Sequence, residues 1–223
     1  MARAAAMHSM GSLLVDLADN DANNLSRPSR WKPLLEFIPF SLLIGIDLPC
    51  ATWSMARRAP QSSSMPSPLR GAGEHLWGLP SLSDKDQQKV HDANHQLRGA
   101  VRLIRRSIAE CGTGYLENPA SSRVWKVPSV IALIASGRAE LLCFDQCQYG
   151  TAWRKRTRFL VWGKLRGLIL NRCSGKGGMC SRSGRPHLQL TGASGGQFRS
   201  SHAQVFTLEL GSAVFQHLMS HKC

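Results

Sequence analysis

No stretch of this 223-residue sequence is apolar for long enough to cross a bilayer. The longest candidate, residues 34–48, is broken by Glu36, Pro39 and Asp47 and falls short of the ~20 residues a membrane helix needs. Gly-X-Y periodicity and sustained heptads are both missing, which excludes collagen-like and coiled-coil rods. Cysteine is sparse: seven residues are too few for a disulfide scaffold, and an odd number cannot all pair within one chain. They are expected to stay mostly reduced in an intracellular protein. Charged residues make up 19% against 43% hydrophobic, which excludes a disordered polyelectrolyte. The length suits one ordinary domain with at most a small appendage. The opening MARAAAMHSMGSLLVDL is Ala-rich with a single Arg, and reads as a frayed end or truncated gene start rather than a targeting peptide.

The most informative shortage is of acid. The formal charge is +14, and it is unevenly spread. Residues 1–100 hold ten basic and nine acidic side chains, residues 101–223 eighteen and five. Between Thr151 and Ser200 there are eleven basic residues and no acidic one. Such a block attracts a polyanion, because each neutralised phosphate releases condensed counterions. A solvated face without a partner would read the same from charge alone. Trp153, Phe159, Trp162 and Phe198 lie among these charges and suit either base stacking or a core.

Along the chain, residues 42–48 read as a short buried strand and 57–82 as an irregular loop rich in Ser, Pro and Gly. Ser83 and Asp86 form a candidate capping box ahead of Val90, Leu97, Val101, Ile104 and Ile108, whose spacing predicts a helix over 84–111, stopped at Gly112. Tyr115-Leu116 begins a strand that runs into Glu117-Asn118-Pro119, and Pro128 opens a helix that Gly137 closes. Residues 140–144 and 157–162 read as strands, and 203–219 as a last helix. Strands alternating with helices predict an α/β sheet covered on both faces.

Three segments carry chemistry. In IDLPCATWSMARR, Cys50 follows an apolar strand, and Arg57 or Arg58 would favour its thiolate; a lone Cys there is equally a small buried apolar residue. In YLENPASSRVW, Glu117 ends a strand, where partial burial would raise its pKa and let it donate a proton to a ring nitrogen. In DQCQYGTAWRKRTRFLVWG, alternate Arg154, Arg156 and Arg158 enter a strand and project to one side.

In that order the three segments resemble the Pro-Cys, Glu-Asn and Tyr-Gly…Gln-x-Arg-x-Arg motifs of the cytosine-5 DNA methyltransferases. LPCATWSMARR, ENPASSRVW and CSGKGGMCSRSGRPHLQLTG look closest to a divergent branch found in transposon-rich eukaryotic genomes. The resemblance covers roughly residues 42–210. It implies a Rossmann-like, S-adenosyl-L-methionine-dependent sheet and a nuclear partner that is nucleic acid, DNA rather than RNA. A flipped cytosine would take Cys50 at ring carbon 6 and a proton from Glu117, while Arg156 and Arg158 hold the base carbonyl and adjacent phosphate.

The departures are specific. Ala51 and Arg154 stand where the family has Gln, and no Phe-x-Gly-x-Gly turn for the methyl donor precedes Cys50. Asp16, Asp19 or Asp21 would have to supply the donor-binding acid. The expectation is therefore a methyltransferase-like sheet incomplete at its N-terminal end, degenerate or fragmentary, or alternatively a non-catalytic basic nucleic-acid-binding module or inactive piece of a mobile element. Residues 1–41 form an ill-defined segment, 42–163 the partial α/β domain and 164–223 an irregular basic C-terminal lobe. Within that lobe Cys173, Cys180 and His187 have the spacing Cys-x6-Cys-x6-His, with Cys147 or His202 as a fourth zinc ligand. Reduced cysteines packed under a loop are the competing reading.

Overall fold

A computed structural model describes residues 24–55, 67–190, 193–194, 197–198 and 206–220. Its centre is an open mixed sheet of four strands, β1 (Ile44–Asp47), β2 (Gly114–Pro119), β3 (Ala139–Asp145) and β4 (Arg156–Trp162), in the order β1-β2-β4-β3. β1 and β2 are parallel, with Ile44 beside Gly114 and Asp47 beside Glu117. β4 is inserted antiparallel to both neighbours, with Glu117 opposite Phe159 and Cys143 opposite Arg158. One edge of the sheet therefore collects the carboxyl ends of β1, β2 and β3 and the amino end of β4. In an open α/β sheet this is the edge where ligands bind.

Both faces are covered, as the alternation of strands and helices predicts. Leu116, Leu160 and Trp162 point to one face and meet α2 (Asp84–Ala109) and α3 (Pro128–Ala135). Tyr115, Phe159 and Val161 point to the other and meet Leu210, Val214, Phe215 and Leu218 of α4 (Leu208–Ser220). The period-2 alternation of strand side chains makes this split without any further device. The indole of Trp162 donates to Ser107 Oγ at 2.8 Å and pins the sheet to α2.

α2 begins as expected, with the Ser83 hydroxyl accepting from the Asp86 N–H at 3.3 Å. Its end differs in detail. Gly112 N–H bonds Ser107 O and Cys111 N–H bonds Ile108 O, the paired bonds of a Schellman cap. The left-handed residue is Cys111, with φ 56°, rather than the glycine. Gly112 is needed for space, because a β carbon there would press on Ser107.

One element lay outside the sequence expectation. Trp31, on a short helix α1 (Trp31–Glu36), is buried against Gly99 of α2, where any β carbon would run into the indole ring. The 57–82 loop is irregular in its described part apart from a 3-10 turn at Gly73–Trp77, yet it is anchored, since Leu69, Arg70 and Leu76 are all buried. Residues 164–190 are likewise irregular. The last helix starts at Leu208, and the first residues expected for it, 203–205, lie outside the described residues. No described helix is long and apolar enough to cross a membrane.

Candidate functional site

Two groups of side chains meet at the carboxyl edge of β1, β2 and β3. The first forms where β1 and β2 end. Leu48-Pro49-Cys50 leaves β1, and Asn118, fully buried on β2, donates from Nδ2 to Leu48 O at 3.0 Å. Its Oδ1 is buried without a hydrogen-bond partner among the described residues. Cys50 then opens a tight turn in which its carbonyl accepts from both Trp53 and Ser54.

Arg70 fixes that turn. Only 2% exposed, it stacks 3.4 Å over the Trp53 ring and donates to Thr52 Oγ1, Leu76 O, Val90 O and Asn94 Oδ1. All of these acceptors are neutral. Burial, with some repulsion from Arg123, pushes its guanidinium down to about 9. Arg57 and Arg58, expected to act on Cys50, lie outside the described residues.

The cation that does act on Cys50 is Lys155. Its ammonium lies 3.3 Å from the Glu117 carboxyl, and both side chains are largely buried. Burial raises the Glu117 pKa, and Lys155 opposes the rise. Burial also raises the half-buried Cys50 thiol, with Lys155 lowering it and Glu117 adding to the rise. The three groups thus share one electrostatic neighbourhood, in which burial raises both the thiol and the carboxyl and Lys155 opposes each rise. Asp47, in register with Glu117, shares its side of the sheet.

The two arginines are placed elsewhere. Arg156 lies 3.4 Å from Asp145, and Arg154 lies 3.3 Å from the same carboxylate. Arg158 stands opposite Asn118 and Cys143, on the sheet face away from Glu117. The structure therefore joins Cys50 with Glu117, adds Lys155, and does not bring Arg156 or Arg158 to that pair. β4 begins at Arg156, yet the alternation continues back past it: Arg154 and Arg156 both reach Asp145, while Lys155 between them reaches Glu117 on the other face. Its signal in the sequence was the one lysine within the Arg-rich run.

The second group contains Cys147, Cys173, Cys180 and His187, whose ligand atoms all lie within 4.8 Å of one another. Cys147 lies two residues past β3 and completes the cluster among the described residues; His202, the other candidate fourth ligand, lies outside them. The three sulfurs are buried. The His187 Nδ1 lies 2.9 Å from Gly178 O, which leaves Nε2 facing Cys173 Sγ at 3.6 Å. The Cys173 sulfur accepts from Ser181 N–H and Oγ–H, and Gln148 Nε2 lies 3.8 and 3.9 Å from the Cys147 and Cys180 sulfurs. Burial disfavours thiolates here. Donors from Ser181 at Cys173, and from Ser183 and Arg182 at Cys180, outweigh it and hold both thiols below their ordinary range. Tetrahedral coordination with bonds of about 2.3 Å puts sulfurs about 3.8 Å apart, so this cluster is dimensioned to hold a metal ion.

Asp145, fully buried, joins the two groups. It accepts from the Cys173 N–H at 2.9 Å while receiving Arg154 and Arg156, and Arg154 also donates to Cys173 O at 2.7 Å. Gln146 N–H bonds Lys155 O, so the backbone next to ligand Cys147 holds the residue that reaches Glu117.

The described residues show no cradle for S-adenosylmethionine, and Asp16, Asp19 and Asp21, expected for the donor, lie outside them. Among those preceding Cys50 the single glycine is Gly45, and it makes room for the Tyr115 ring rather than for a ligand. A surface cleft of about 420 Å³ lies at the opposite edge of the sheet among Cys111, Arg138, Gly163 and Arg166. No family model matches the chain, and neither does any curated protein or solved structure.

Proposed function

We propose that this chain is a nucleic-acid-binding protein, methyltransferase-like in its Cys50–Glu117 edge, that engages a displaced cytosine there. The observation that carries the reading is the convergence of the Pro-Cys and Glu-Asn segments, distant in sequence, on adjacent strand ends tied by Asn118. A cytosine ring lying between them meets a thiol at one edge and, at the other, a buried carboxyl whose pKa burial raises. Addition of the Cys50 sulfur to ring carbon 6 forms a C–S bond and opens the 5,6 double bond. The displaced electron pair is taken up at the ring nitrogen, which receives the Glu117 proton, and the thiol proton leaves to water. Lys155 then neutralises the carboxylate this leaves. Among the described residues nothing at this edge cradles a methyl donor.

Zinc is the metal proposed for the Cys147, Cys173, Cys180 and His187 cluster, since thiolate and imidazole ligands in a closed four-ligand set suit a structural zinc site. The raised Cys50 thiol favours a second reading, in which the edge holds a base without bonding to it.

Protection of Cys50 tests the shared part of both readings. Duplex DNA carrying one mispaired cytosine should slow iodoacetamide alkylation of Cys50, read by peptide mass spectrometry, severalfold more than a fully paired duplex. Equal alkylation with both duplexes would remove the base-engaging site.

A further inference from the structure

The Cys-rich lobe offers more than a structural metal. Asp145 and Glu209 are the flanking acids of a segment with none between them, and its loop over residues 172–187 exposes Arg172, Lys176, Arg182 and Arg185. None of the four is at ion-pair distance from a carboxylate among the described residues. Each lies within three residues of a cluster ligand: Arg172 and Lys176 flank Cys173, Arg182 follows Cys180, and Arg185 precedes His187.

The loop has little regular structure, and hydrogen bonds from Cys173 to Asp145, from Arg154 to Cys173, from Cys180 to Arg185 and from His187 to Gly178 hold its ends and its turn. It contains one 3-10 turn, at Lys176–Gly178, and a single bridge between Met179 and Pro186. Gly175, Gly177, Gly178 and Gly184 all adopt positive φ. Such a backbone costs much entropy to order, and closure of its three ligands onto Cys147 adds to these bonds in fixing where the cations stand.

We infer that the Cys147–Cys173–Cys180–His187 centre, when it holds its metal, sets the 172–187 loop as a grip on the nucleic-acid phosphodiester backbone. This rests on the nucleic-acid reading above but not on any chemistry at Cys50. Guanidinium groups suit phosphate oxygens, and the exposed glycine backbone lets a strand approach closely. The grip reads backbone charge, so it does not by itself choose a base.

The test uses the full chain, with cobalt absorption reporting thiolate coordination and fluorescence anisotropy reporting binding to a duplex DNA, a duplex RNA and a single strand of equal length. Four phosphate contacts on duplex DNA predict a log K against log salt slope containing about −3.6 from this loop. Arg182→Gln with Arg185→Gln should keep the cobalt spectrum and flatten the slope by about 1.8. Cys180→Ser should lose the spectrum and most of the loop's share of the slope. Should that variant fail to fold, the unaltered chain before and after removal of cobalt by a chelator supplies the same comparison, and an unchanged slope overturns the metal-set loop. A cobalt-loaded double variant whose slope equals that of the unaltered chain overturns the grip while leaving nucleic-acid binding standing. Absence of salt-dependent binding by the unaltered chain overturns both. Absence of a cobalt spectrum overturns the metal-set loop. A steeper slope for duplex RNA than for duplex DNA, abolished by the same variants, would support the grip and assign its backbone to RNA.

Discussion

Replacing Lys155 by Met should destabilise the protein in a strongly pH-dependent way. Lys155 lies 3.3 Å from the buried Glu117 carboxyl, and at an effective dielectric of 20 that separation corresponds to about 5 kcal/mol of attraction before desolvation is subtracted. Removing one member of such a pair strands a buried charge, which typically costs about 3–5 kcal/mol. Glu117 has an escape, which is to take a proton. Burial already raises its pKa above the ordinary 4.5, and without Lys155 the rise is greater. The unfolded chain then releases that proton first, so stability falls as pH climbs above the ordinary value, by about 1.4 kcal/mol per pH unit until the folded carboxyl ionises. The Lys155→Met penalty should therefore be small at pH 5 and about 3 kcal/mol at pH 8, measured by urea unfolding at both. Adding Glu117→Gln should restore most of the loss at pH 8. A penalty equal at the two pH values, or no restoration by Glu117→Gln, would refute the buried pair.

Three further outcomes are expected. Cys111→Gly relieves a left-handed backbone at the Schellman cap and should stabilise by about 0.5–1 kcal/mol, read as a higher urea midpoint with unchanged slope. Ser107→Ala leaves the Trp162 indole N–H buried without its acceptor, and should cost about 1–3 kcal/mol in the same assay. Arg70→Met removes donors from Thr52, Asn94 and two carbonyls beneath the Cys50 turn. It should cost about 3 kcal/mol or more and speed alkylation of Cys50 by loosening that turn.

The sheet and its long helix were legible because each carries a strong period. Val90 to Ile108 repeat at helical spacing, and Tyr115, Leu116, Phe159, Leu160, Val161 and Trp162 alternate between two cores that the structure separates as expected. α1 was not legible, since six residues hold too little periodicity and the fit of Trp31 over Gly99 is a property of packing. At the site, Cys50 and Glu117 were readable from where their strands stop. Lys155 was hidden, because it stands between the alternate arginines and projects to the opposite face, where Glu117 lies. Spacing placed Cys173, Cys180 and His187 in one loop. It could not place Cys147 beside them, which follows from β3 ending beside the loop and from Asp145 bonding Cys173.

The most direct measurement of the base-engaging edge is a covalent trap. 5-Azacytosine in a mispaired DNA position presents an electrophilic ring carbon 6 that retains a sulfur adduct without any methyl donor. Denaturing gels should show a protein–DNA band with the unaltered chain, peptide mapping should place the bond on Cys50, and Cys50→Ser should abolish it. A band that survives Cys50→Ser, or no band under conditions where the DNA is fully bound, would contradict the proposed chemistry at this edge.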